Sequence, residues 1–146
     1  MIYNFIVPIE FASPAYDEAL RLRYKVLREP LGLEYTVEQL EEESEEFHFG
    51  FFSTIDHLTG VLTMHTVTKD IVKMRQVAVA DSSQKKGIGS QLVEYAEAWA
   101  KLAGYKKIEL HARDIAMPFY ERLNYNIMGE PFIEVGIKHY AMYKTL

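Results

Sequence analysis

The chain has no cysteine among its 146 residues. Disulfide staples, thiolate metal sites and a cysteine nucleophile are therefore excluded. It also lacks an excess of basic charge. Sixteen Lys and Arg stand against twenty-one Asp and Glu, a formal net charge of −5. The domain as a whole does not suit nucleic acid or another polyanion, and any basic site must be local. No apolar run approaches about 18 residues, so nothing is built to span a membrane. The first residues, Met1-Ile2-Tyr3-Asn4-Phe5, lack the basic segment that opens a secretory signal. No Pro- or Gly-rich linker and no fixed-period repeat breaks the chain. What is present is globular in composition, 49% hydrophobic and 25% charged residues. The expectation is a soluble cytoplasmic protein with residues 1–146 forming one domain, the usual size being about 100–200 residues.

Ile2 to Val7 reads as a strand stopped by Pro8. Ser13-Pro14 suits a helix cap followed by Pro at the first helical position, with Leu20, Tyr24 and Leu27 on one apolar face and Pro30 and Gly32 as the end. Thr36-Val37-Glu38-Gln39 has the form of a capping box opening a second helix to about Glu46. Phe47–Ile55 and Val61–Val67 predict two strands around a turn at Asp56–Gly60, and Ile71–Val79 predicts a third. Its end, Val77-Ala78-Val79-Ala80, is apolar on both faces, as in a central strand. The strongest helix runs from about Gly87 to Ala103, with Ile88, Leu92, Tyr95, Ala96, Trp99 and Ala103 at helical spacing and Gly104 as a fitting terminator. Lys107–Ala112 then completes a β–α–β unit, hence two parallel strands with a right-handed crossover. Ala116–Leu123 predicts a short helix, and Tyr125–Gly129 and Tyr140–Lys144 two closing strands. The order β-α-α-β-β-β-α-β-α-β-β is that of an α/β fold with a mixed sheet.

Several features have ordinary readings. The acidic run Glu41-Glu42-Glu43-Ser44-Glu45-Glu46 reads as a solvated helix face; a field that draws in cationic amines is the minority alternative. Arg21, Arg23 and Arg28 read as surface charge. The five histidines (48, 57, 65, 111, 139) form no helical i, i+4 pair, so no metal site is expected.

The stretch from Val77 to Ser90 carries more information. A buried strand runs through a polar turn, Asp81-Ser82-Ser83, into Gln84-Lys85-Lys86-Gly87-Ile88-Gly89-Ser90. A helix start leaves N–H groups free and carries about +0.5 of partial charge. Glycines let an anion come close, and Lys85 and Lys86 add full charges, which together suit a phosphate or pyrophosphate. The ATP-type loop is absent, and Leu92 stands where a dinucleotide fingerprint needs its third glycine.

Gln84-Lys85-Lys86-Gly87-Ile88-Gly89 matches the Gln/Arg-x-x-Gly-x-Gly/Ala signature of the GNAT superfamily of N-acetyltransferases. Ala116-Met117-Pro118-Phe119-Tyr120-Glu121-Arg122-Leu123-Asn124-Tyr125 resembles its second signature, Ala-x-x-Phe-Tyr-x-x-x-Gly-Phe/Tyr. Two departures stand out. Asn124 replaces the usual Gly, though Asn tolerates a left-handed backbone, and Arg113 replaces a frequent Asn. The resemblance implies a GNAT-like acyl-CoA N-acyltransferase fold, with acetyl-CoA as co-substrate in a cleft where the fourth and fifth strands splay apart. Val77, Ala78 and Val79 would flank its pantetheine arm, and Gln84, Lys85, Lys86, Gly87, Ile88, Gly89 and Ser90 its diphosphate. It implies direct attack by a primary amine in a ternary complex, with Tyr120 as general acid at the departing thiolate.

The amine must be neutral to attack. Deprotonation at pH 7 costs about 4.6 kcal/mol for a lysine-type amine and about 1.4 for an α-amine. Candidate bases are His111 and Glu109, which share a strand face, with Glu134 and His139; His111 is the residue singled out. Acceptors are small-molecule or peptide amines, with neither nucleic acid nor membrane as partner, and sheet edges leave a homodimer open. The alternatives are a catalytically silent acyl-CoA-binding sensor or interaction module of the same fold, and a domain that binds another phosphate ligand.

Overall fold

The computed structural model describes residues 4–54, 57–84 and 86–146. Ser13 caps helix α1 (Pro14–Arg23): its Oγ accepts the Tyr16 N–H at 3.2 Å, and Pro14 opens the helix, where its missing N–H would have had no partner. The helix does not continue to Pro30. One π-turn, Tyr24–Arg28, and one 3-10 turn, Glu29–Leu31, come after it and end at Gly32 with φ +67°. A π-turn inserts a residue and shifts the phase of the residues beyond it. Tyr24 at its start is exposed and Leu27 only partly buried; ahead of it, the buried stripe of α1 is Tyr16, Ala19 and Arg23, with Leu20 partly buried beside it. The capping box forms as expected: Thr36 Oγ1 accepts the Gln39 N–H at 3.1 Å and Gln39 Oε1 accepts the Thr36 N–H at 3.0 Å. It opens α2 (Val37–Glu42), which passes into a 3-10 turn at Glu43–Glu45.

The chain divides into two compact units, residues 1–65 with 76–96, and residues 66–75 with 97–146. Strand β4 (Ile71–Val79) and helix α3 (Ile88–Leu102) run from one unit into the other. In the first unit, β1 (Phe5–Ile9) pairs antiparallel with β2 (Phe47–Thr54), which pairs antiparallel with β3 (His57–Thr66), and β4 is next to β3. Pro8 does not stop the first strand. It lies inside β1 opposite Phe49, because β1 is last in the row and a ladder donor is not needed on its outer side. The start of the first expected strand, Ile2 and Tyr3, lies outside the described residues, as do Ile55 at the end of the second and Asp56 at the start of the expected turn. Gly60 is no turn residue but a strand residue opposite Phe51. A Cβ there would come within 2.8 Å of Leu92 Cδ1 and 3.0 Å of Ile88 Cγ2, so the glycine lets α3 press directly on the strand backbone. The core of this unit gathers Ile9, Tyr16, Ala19, Val61 and Ala78.

In the second unit, β4 pairs parallel with β5 (Lys107–Arg113) over Ile71–Met74, as the crossover through α3 requires. β5 pairs antiparallel with β8 (Ile137–Thr145). α4 (Met117–Arg122) lies between β5 and β6 (Asn126–Ile127) in the chain, and β6 pairs with β8. A further strand without a sequence signal, β7 (Phe132–Glu134), forms a hairpin with β8 through Val135 and Gly136, both at positive φ. Val72, Met74, Ile108, Leu110, Ala112 and Met142 are buried. α3 ends as its sequence suggests. Gly104 has φ +96°, and the N–H groups of Gly104 and Tyr105 donate to Lys101 O (3.1 Å) and Ala100 O (3.0 Å), a Schellman termination. Ala103 is exposed. Among the described residues, no helix is long and apolar enough to cross a membrane.

Two charge readings are corrected by the fold. Arg23 is fully buried and Glu43 nearly so. They form a two-pronged ion pair, Nη1 to Oε1 at 2.7 Å and Nη2 to Oε2 at 2.6 Å. Glu46 is buried too, whereas Glu41, Glu42 and Glu45 are exposed.

Candidate functional site

The first unit builds the turn after β4 with its own side chains. The Ala80 N–H donates to Thr59 O at 2.8 Å, anchoring the end of β4 to β3. A 3-10 turn, Asp81–Ser83, comes next. The Gln84 amide then reaches back, donating to Val79 O at 3.0 Å and Asp81 Oδ1 at 3.2 Å. Gly87 has φ +79°, and a Cβ on it would meet only Gln91 Nε2 at 3.9 Å. The glycine serves backbone conformation, and the space before it is open. The Gln91 N–H returns to Gly87 O at 3.1 Å, while the first N–H groups of α3, at Ile88, Gly89 and Ser90, lack intrahelical acceptors. This arrangement fits an anion. Lys86 is exposed, and Lys85 lies outside the described residues. Val77 and Val79 are half-buried and Ala78 is buried in the core cluster, so the backbone there alternates between core and open side.

Gln76 precedes them with φ +58°, a left-handed conformation in a non-glycine strand residue. Its side chain is held at both ends. Oε1 accepts the Tyr35 O–H at 3.0 Å, and Nε2 donates to Glu43 Oε2 at 3.4 Å. Glu43 also takes the Tyr16 O–H at 2.8 Å, and its carbonyl lies 3.0 Å from His48 Nε2. Burial alone would push the Glu43 carboxyl up. The hydrogen bonds and charge of Arg23, with the Tyr16 hydroxyl, outweigh it and hold the group below the usual carboxylate range.

Tyr120 belongs to the second unit, in α4. It is buried, with ring centroids of Phe119 at 4.9 Å and Tyr125 at 5.7 Å. Burial pushes its phenol above the ordinary value, so it keeps its proton at every working pH. Tyr125 is engaged differently, donating to Glu97 Oε2 at 2.9 Å. Asn124, between them, has φ +71°, the left-handed geometry that its place in the signature requires.

On β5, Ile108, Leu110 and Ala112 are buried, and Lys144, opposite Ile108, reaches Glu97 of α3 at 3.0 Å. That is the helix side. Glu109 and His111 face the other way. His111 Nδ1 lies 3.4 Å from Lys73 Nζ and 3.5 Å from Glu134 Oε2; the same oxygen is 3.6 Å from His139 Nε2. Phe132 is edge-on to His111 and stacked on His139. Three of the four candidate bases thus converge, whereas Glu109 pairs with Lys107 at 3.2 Å. Lys73 carries little signal in the sequence, only the strand alternation that places it opposite Glu109. Burial and then the Lys73 charge lower the His111 pKa against the pull of Glu134. Among the described residues, no group of three or more ligating side chains is placed to hold a metal ion.

A family model described as Acetyltransferase (GNAT) family matches residues 13–125. The Bacillus subtilis protein named uncharacterized N-acetyltransferase YitI is 23% identical over 145 residues, covering 94% of this chain and 97% of that protein. The crystal structure of a Lactobacillus plantarum protein provisionally named an N-acetyltransferase matches with a TM-score of 0.87 and 26% identity over 98% of both chains. A GNAT family acetyltransferase from Elizabethkingia anophelis, crystallised with acetyl-CoA bound, shares the fold with a TM-score of 0.75 and 19% identity, again over 98% of both chains.

Proposed function

The chain belongs to the GNAT acetyltransferase family, and from that premise we propose that it moves an acetyl group from acetyl-CoA to a primary amine by direct attack. The observation that carries the coenzyme assignment is the turn after β4. Gln84 braces it from within, and Gly87 opens it before the 15-residue helix α3. Acetyl-CoA supplies an activated thioester. The N–H groups from Lys86 to Ser90, with the charges of Lys85 and Lys86, hold its diphosphate. Val79 O already accepts the Gln84 amide, so the backbone of Val77 and the N–H of Val79 are the groups assigned to the pantetheine arm. Tyr120 donates a hydrogen bond to the thiolate as it leaves. Full proton transfer is unfavourable even for an ordinary phenol, by about 2 kcal/mol against a thiol, and burial widens that gap.

His111 is the proposed base. Its lowered pKa keeps it neutral, and able to accept a proton, at pH 7. Activity tracks the neutral form, so kcat/KM stays flat as pH falls through about 6.5, the ordinary imidazole value, and declines only below it. The variant His111→Gln lowers kcat about a hundredfold and loses that acid limb. A pH–rate profile measured on both proteins checks this, and an unchanged limb in the variant removes His111 from the role.

The coenzyme reading is tested by titration calorimetry. The folded protein binds acetyl-CoA, and reversing both neighbouring charges (Lys85→Glu with Lys86→Glu) weakens that binding about ten- to hundredfold. No heat with the wild-type chain, or no change in the reversed variant, overturns the assignment. Tight binding without turnover across a panel of amines converts the reading to a silent acyl-CoA-binding module.

A further inference from the structure

A left-handed backbone at a non-glycine residue is strained and persists only where its surroundings enforce it. Gln76 is such a residue, two positions past the last β4–β5 pair, Met74 with Leu110, and immediately before Val77. We propose that Tyr35 and the buried Arg23–Glu43 pair are positioning residues for the coenzyme strand: they hold the Gln76 side chain and through it fix the kink that sets the direction of the Val77–Val79 backbone. The inference rests on the coenzyme reading above and deepens it, because those backbone groups are the ones assigned to the pantetheine arm.

The grip is two-sided. Tyr35 donates to Oε1 of Gln76, and Glu43 accepts from Nε2. Each gripping group is itself fixed. The Glu43 carboxylate is forked onto Arg23 and takes the Tyr16 hydroxyl. The Tyr35 ring lies beneath two guanidinium groups, Arg28 at 4.3 Å and Arg23 at 5.1 Å from its centroid. Glu43, which accepts from Gln76, also accepts from Tyr16, and Ala78 enters the core beside Tyr16 and Ala19. The segment leading into and through α2 is thus wired to β4 at one side chain. An anchor is needed because glutamine, unlike glycine, is sterically disfavoured at positive φ.

The test separates the anchor from the kink. Glycine adopts positive φ unaided, so Gln76→Gly keeps the kink accessible without an anchor, whereas Gln76→Ala loses the anchor and retains the strain. Calorimetry with acetyl-CoA should show Gln76→Ala binding more weakly than Gln76→Gly. Tyr35→Phe, which removes one hydroxyl from a half-buried ring, should raise the Kd about three- to tenfold in the wild-type background. It should leave the Kd unchanged in the Gln76→Gly background. Amide hydrogen exchange at Val77–Val79 in the coenzyme-free protein should quicken in Tyr35→Phe, a readout that needs no ligand. Equal effects of Tyr35→Phe in both backgrounds, or wild-type affinity and exchange in Tyr35→Phe and Gln76→Ala, overturn the proposal. If the wild-type chain binds no acetyl-CoA, the coenzyme reading itself has failed, and the positioning role fails with it whatever the exchange rates show.

Discussion

The variant Tyr120→Phe loses about a hundredfold or more in kcat while its affinity for acetyl-CoA stays within about twofold. The phenol has one task in the proposed reaction, at the sulfur, and that task arises only as the C–S bond breaks. Removing the oxygen therefore touches the transition state and not the bound coenzyme. The ring stays, so its contacts with Phe119 and Tyr125 survive and the fold is retained. Because burial keeps the phenol protonated, wild-type activity should show no alkaline loss from Tyr120 at pH values below its ordinary range near 10. The assay is direct. The protein has no cysteine, so a thiol reagent reads released coenzyme with no protein background. Turnover in Tyr120→Phe within about threefold of wild type would remove Tyr120 from the chemistry and leave it a packing residue.

The second large effect is on stability. Glu43→Gln should destabilise the fold by about 3–5 kcal/mol, a large share of the about 5–15 kcal/mol that holds a typical domain together. The variant preserves shape but strands the Arg23 guanidinium, buried to 1% exposure, without a counter-charge. Urea unfolding monitored by the single tryptophan, Trp99, measures it. The pH dependence has a definite sign. The folded pKa of Glu43 lies below the unfolded value. Its contribution is therefore full above the ordinary glutamate range near 4.3 and fades as pH falls toward the lower, folded pKa. The gap between wild type and Glu43→Gln should close over that acidic window and stay constant above it. A gap under about 1 kcal/mol at pH 7 would mean that the pair contributes no more than a surface one.

The features legible in the residues share a physical origin. The capping box at Thr36, the end of α3 at Gly104 and the β–α–β crossover all rest on local chemistry, and each is in place. The turn from Val77 to Ser90 is legible for the same reason, since the Gln84 amide that braces it bonds residues no more than five away. Misreadings arise where distant chain decides. Arg23 lies on the stripe of Tyr16 and Ala19, but nothing local announces that Glu43, twenty residues on, will neutralise it in the core. Gly60 resembles a turn residue because the close approach of α3 cannot be seen from β3 alone. The β7 hairpin is hidden by its turn: Val135 takes a positive φ where Asn or Asp would have advertised it. The convergence of His111, Glu134 and His139 needs the β7–β8 and β5–β8 registers together.

Pro8 sits in the outermost ribbon of the first unit. A neighbouring molecule laid lengthwise along that rim would find a missing amide at the fourth of only five residues. Sheet growth from copy to copy is interrupted there by a covalent ring rather than by charge, which lets the rim stay apolar at Phe5, Ile6 and Val7 without becoming a template for fibres.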